Sequence, residues 1–119
     1  MMHISVKGNL GDDPDLKFSK NNNAYCKFSL AYKPRYQENG EWKDGETTWF
    51  RVTLFGAKAE AVADNFKKGD TVLVVGDLKQ STYTDKEGNE KTSMEITAKD
   101  VGLVPKLQKA NKQEETAPW

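Results

Sequence analysis

A single cysteine and a single histidine in 119 residues remove several kinds of chemistry at the outset. Cys26 cannot form an internal disulfide or a multi-cysteine metal site. It falls in the alternating set Cys26, Phe28, Leu30, which marks it as a small buried hydrophobe and not a reactive thiol. With His3 the only histidine, no Ser-His-Asp set can be assembled. No phosphate-binding loop of the form GxxxxGK[ST] occurs either. Asp12, Asp13 and Asp15 crowd around Gly11 and Pro14, the composition of a solvated turn. Metal-assisted cleavage would need carboxylates converging from different elements. No apolar run is long enough to span a bilayer, and residues 1–8 carry no signal-peptide apolar block. An excess of one charge is missing too: 18 basic residues balance 18 acidic ones. The expectation is a non-enzymatic cytoplasmic protein with no cofactor, no metal and no membrane.

What is present is concentrated in residues 49–55. A strand points successive side chains to opposite faces. Phe50, Val52 and Leu54 then form an apolar core stripe, while Trp49, Arg51, Thr53 and Phe55 face outward. Two large aromatics beside an arginine suit stacking on bases and neutralising phosphates. The same pattern fits a strand covered on both sides, or a subunit interface. Zero net charge speaks mildly against nucleic acid. However, acids cluster in expected turns (Asp12, Asp13, Asp15, Glu38, Glu41, Asp44, Glu46, Asp85, Glu87, Glu90), which can leave Lys and Arg dominant on a strand face.

Along the chain, residues 2–8 alternate as a strand that stops at the turn 11–14. A second strand spans about 24–33, with Cys26, Phe28, Leu30 and Tyr32 on one face and Tyr25, Lys27, Ser29, Ala31 and Lys33 on the other. Residues 34–47 read as a polar loop holding two hairpin signals, Asn39-Gly40 and Asp44-Gly45. Beyond Gly56 the period becomes helical at Ala59, Val62, Ala63 and Phe66, with Lys67, Lys68 and Gly69 as a cationic end and C-cap. A long strand over 71–83 places Val72, Val74, Gly76 and Leu78 inward. A turn at 85–89 leads to a last strand with Met94, Ile96 and Ala98. The predicted fold class is mainly β, a five-stranded oligonucleotide/oligosaccharide-binding (OB) barrel with one helix between strands 3 and 4. The predicted domain covers residues 1–105, followed by a short disordered tail, 106–119.

At this point the residues resemble the bacterial-type single-stranded DNA-binding protein family. Four fragments carry the likeness in order: residues 8–14, Phe28 to Ala31, Trp49 to Gly56 with Ala59-Glu60, and Lys67-Lys68-Gly69 leading to Gly76-Asp77-Leu78 and Tyr83. The resemblance implies sequence-independent binding of single-stranded DNA in replication, recombination and repair, wrapped around an oligomer that is usually a homotetramer. It maps stacking positions onto Tyr36, Trp49, Phe55 and Tyr83, with Tyr at two places where relatives often have Trp. Basic positions that match in character are Lys17, Arg51, Lys68 and Lys79, while His3 stands where Lys is frequent. Lys33 and Arg35 join them from the local pattern around Tyr36. The location implied is the cytoplasm, nucleoid-associated, or the host cytoplasm for a viral source.

The tail ends in Glu114, Glu115, Pro118 and Trp119, similar in order to family tips that dock replication and repair proteins, though with Trp in place of Phe and only two acids. Its linker is short, which limits reach. A protein–protein module remains open, with Tyr25, Tyr32 and Trp42 extending the aromatic strand into an interface. So does an OB protein of the primosome type.

Overall fold

A computed structural model describes residues 2–105. The chain runs β1 (Met2–Leu10), β2 (Asp15–Phe18), β3 (Ala24–Tyr32), β4 (Arg35–Glu38), β5 (Glu41–Asp44), β6 (Thr48–Phe55), α1 (Ala57–Asn65), β7 (Thr71–Thr84) and β8 (Glu90–Leu103). The tail, with Glu114, Glu115, Pro118 and Trp119, lies outside the described residues.

Five long strands close a barrel. The sheet order is β1-β7-β8-β6-β3, and β1 reaches back to β3 through Asn9↔Ala31 and Leu10↔Leu30. β2 adds to the outer edge of β3. All contacts are antiparallel except β6 with β8, whose parallel pairing needs the crossover that α1 and β7 supply. This is the OB barrel with one helix between its third and fourth long strands.

Alternation sets the core. Val6, Leu10, Cys26, Phe28, Leu30, Phe50, Val52, Leu54, Val72, Val74 and Ile96 point inward and are buried, with Ala59 and Val62 of α1 against them. Each fully buried Leu, Ile or Val contributes roughly 1.5–3 kcal/mol relative to exposure. Cys26 is fully buried, and burial, with Asp15 nearby, pushes its thiol up to about 11. It is a packing residue. The helix is tied at its start by the Gly56 N–H donating to the Ala24 carbonyl at 2.8 Å, and across to β8 by Lys58 Nζ at 2.7 Å from Asp100 Oδ1.

Four local readings need correction. The 34–47 segment contains a real two-stranded sheet, β4–β5, turning at Asn39-Gly40 with φ of 54° and 81°. Both central residues at positive φ are what a type I′ hairpin turn requires. Asp15–Phe18 is an edge strand and not part of an acidic turn. The helix ends at Asn65, and Phe66 turns extended (φ −113°, ψ 153°) with its side chain partly buried against the core. Lys67, Lys68 and Gly69 therefore form a separate turn, closed by the Asp70 N–H to the Lys67 carbonyl at 3.1 Å. Tyr32, expected on the apolar face of its strand, is exposed where β3 leaves the barrel.

Candidate nucleic-acid interface

Residues paired across strands share a face, so the register maps the barrel's outer surface directly. At one end Lys17, Tyr25 and Phe55 form a row across β2, β3 and β6. Next come Asp15, Lys27 and Thr53, then Ser29, Arg51, Glu95 and Lys79. Ala31 and Trp49 follow. Tyr83 and Lys91 lie further out, where β7 and β8 run on together as an arm. Trp49 is 55% exposed, Phe55 62% and Tyr83 50%, so each ring keeps a face open to a partner.

Trp49, Arg51 and Tyr83 line one cleft of about 280 Å³ with Ser29, Phe50, Thr92, Ser93 and Met94. Its position depends on a missing side chain. A Cβ at Gly11 would sit 2.5 Å from Trp49 Cζ3, so only glycine lets the indole lie against the turn after β1. That turn is pinned to β3 by the Gly11 N–H donating to the Ser29 carbonyl at 2.8 Å, and by Asp12 Oδ1 accepting from the Ser29 N–H at 2.9 Å. Trp49 thus rests on an anchored surface.

The acids divide between two roles. Asp12, Asp13 and Asp85 hold backbone: Asp13 Oδ1 accepts from the Lys68 N–H at 2.8 Å, and Asp85 Oδ1 accepts from the Glu87 and Asn89 N–H groups at 2.9 Å each. Asp15 and Glu95 instead stand on the outer face, and with Asp12, Lys27 and Arg51 they line a second cleft of about 360 Å³. The outer rows carry five cations (Lys17, Lys27, Arg51, Lys79, Lys91) against the acids Asp15, Asp77 and Glu95, with Lys17 Nζ 3.5 Å from Asp15 Oδ2 and Lys91 Nζ 3.8 Å from Asp85 Oδ2. His3 Nδ1 lies 2.8 Å from Asp77 Oδ1.

The predicted site residues fall into groups. Trp49, Arg51 and Tyr83 share a cleft; Phe55 and Lys17 share a row with Tyr25; Lys79 neighbours Arg51 across Glu95. Lys68 sits in the turn beside Asp13. Lys33 lines a different cleft, with Ile4, Lys7, Tyr32 and Phe50, where β1 and β3 part. Arg35 and Tyr36 belong to the β4–β5 sheet, separate from the barrel, and alternate to opposite sides of it. Tyr25 and Lys27 were not among the expected contacts, although Lys27 Nζ lies 5.8 Å from the centre of the Tyr25 ring on the outer face. Their signal was the alternation of β3 itself, once set in register with β6.

Comparison with known proteins bears on what this surface is. The family model described as the single-strand binding protein family matches residues 1–104. A single-stranded DNA-binding protein of Paenarthrobacter aurescens is 40% identical over 110 residues, covering 91% of this chain and 63% of that protein. Single-stranded DNA-binding protein 2 of Streptomyces coelicolor is 41% identical over 101 residues, covering 83% of this chain and 51% of that protein. The chain thus spans about half to two thirds of the length of these relatives. The crystal structure of the small single-stranded DNA-binding protein from Streptomyces coelicolor superposes with a TM-score of 0.76 at 30% identity, covering 87% of this chain and 94% of that one. Motif order, barrel topology and the family-model match over residues 1–104 agree: the chain belongs to the single-strand binding protein family.

Proposed function

We propose that this protein binds single-stranded DNA without sequence preference and coats it where replication, recombination and repair expose it. The observation that carries this reading is the outer face of β6, where exposed Trp49 and Phe55 lie on the same side as Arg51 and where Tyr83 joins Trp49 and Arg51 in one cleft. Trp49, Phe55, Tyr83 and Tyr36 stack on bases. Arg51, Lys17, Lys68 and Lys79, with Lys33 and Arg35, contact phosphates. Stacking accepts any base because every base has a π-face, and the cations act on a backbone that is the same for all sequences. The names of the relatives point the same way.

The reading extends to organisation. Residues 1–105 are the DNA-binding domain and 106–119 a tail whose tip, Glu114, Glu115, Pro118 and Trp119, docks replication and repair proteins. The working unit is a homotetramer in the cytoplasm, and the protein is not an enzyme. No helix among the described residues is long and apolar enough to cross a membrane.

The test is intrinsic tryptophan fluorescence and anisotropy during titration with oligo-dT at low and high salt, with duplex DNA as control. Quenching by the single strand alone, weakened by salt as counterion release demands, is the expected result. Trp49→Ala should weaken binding about 5- to 150-fold, equally for all sequences, since one stacked base is worth about 1–3 kcal/mol. Parental affinity in a folded Trp49→Ala protein would remove the stacking role from that residue.

A further inference from the structure

The β4–β5 hairpin carries an aromatic that neither the motif match nor the barrel face accounts for. In its register Arg35 pairs with Asp44, Tyr36 with Lys43, Gln37 with Trp42 and Glu38 with Glu41. Arg35, Gln37, Trp42 and Asp44 therefore occupy one face, and Tyr36, Glu38, Glu41 and Lys43 the other. Trp42 is 60% exposed and Tyr36 46%.

We propose that Trp42, backed by Arg35, is a further base-stacking site for single-stranded nucleic acid, on the hairpin face opposite Tyr36. The inference rests on the single-strand reading above. Three observations favour this occupant. The Arg35 guanidinium carbon lies 5.7 Å from the centre of the Trp42 ring, and Asp44 Oδ1 holds Arg35 Nε at 3.3 Å, so one side of the indole is braced. The other side is left for a base, in an Arg–Trp–base stack that also puts a guanidinium within reach of the adjoining phosphate. Second, the charges differ between faces. The Trp42 face balances one cation against one acid, whereas the Tyr36 face sets Glu38 and Glu41 against Lys43, whose Nζ is 3.7 Å from Glu38 Oε2. A polyanion is repelled less by the Trp42 face. Third, β5 ends at Asp44 and β6 begins at Thr48, so only three residues join the hairpin strand bearing Trp42 to the strand bearing Trp49.

The chain's three tryptophans make the test direct. Trp42→Ala should weaken binding to an oligo-dT of about 16 nucleotides, the upper site size of one OB fold, about 5- to 150-fold, with circular dichroism unchanged. Trp42→Phe should restore most of the loss, and Tyr36→Ala should cost less than Trp42→Ala. In a chain carrying Trp49→Phe and Trp119→Phe, Trp42 is the one remaining tryptophan, and oligo-dT should quench it. Parental affinity in Trp42→Ala beside a clear loss in Trp49→Ala would overturn the hairpin site and leave the barrel site standing. No binding by the parent protein would overturn both.

Discussion

Trp49 and Trp42 are both exposed indoles on β-strands, yet they are held in different ways. Trp49 stands on a strand paired on both sides, by β3 and β8, and rests on the Gly11 turn. Trp42 stands on a two-stranded sheet that is separate from the barrel, steadied by one arginine. A ring fixed before binding loses little freedom when a base stacks on it, while a ring on a free hairpin must be ordered first. The barrel face is thus suited to tight anchoring and the hairpin to adaptable reach. Two-stranded hairpins are marginal alone in water.

The largest way to break this contrast is to loosen the barrel. Leu54 is buried beneath the outer face of β6. Leu54→Ala should lower the unfolding free energy by about 2–5 kcal/mol through lost burial and the cavity left behind. Urea unfolding measures it. Hydrogen exchange should rise in β3, β6 and β8, while amides of the hairpin, which does not rely on that core, change little. Equal acceleration in both regions would mean that the hairpin is not independent.

Gly11→Ala sharpens the contrast instead. The new Cβ meets the far edge of the Trp49 ring, not backbone, so the indole swings and the fold survives. Binding should fall by part of the roughly 1–3 kcal/mol that a stacked base contributes. Trp42 quenching should persist. Unaltered affinity would show that the anchored position of Trp49 is irrelevant to stacking.

These two regions also differed in how far the sequence revealed them. Strict alternation in Trp49 to Phe55 places three apolar side chains inward, and that suffices to orient the strand and its outward aromatics. The β4–β5 hairpin shows no such pattern, since all eight of its strand residues are exposed; of the two turn signals in its segment, Asn39-Gly40 is the turn between its strands, whereas Asp44-Gly45 lies at its end. β2 escaped for the same reason, its residues being exposed or half-buried on both faces. The helix end lies earlier than Lys67, Lys68 and Gly69 suggest, because the chain turns extended at Phe66, which packs partly buried against the core. Closure through Asn9↔Ala31 and the parallel β6–β8 pairing depend on long-range register, which no local pattern encodes. Hence Tyr25 went unrecognised as a neighbour of Phe55, although its outward orientation was plain.

The smallest effect comes from the hairpin turn. Gly40 sits at φ 81° with open space around its Cα, so Gly40→Ala adds no clash and only backbone strain. An L-residue in the left-handed region costs roughly 1–2 kcal/mol. In a sheet of two four-residue strands that is enough to shift the balance toward opening, while the barrel's own pairings are untouched. Exchange should therefore quicken for amides in Arg35–Asp44 and stay unchanged in the barrel strands, with the same urea midpoint. Single-strand affinity should fall by less than in Trp42→Ala, because the opened hairpin can still close on a base at the expense of ordering it. A fall as large as that of Trp42→Ala would mean that the turn, and not the Arg35 brace, presents the indole.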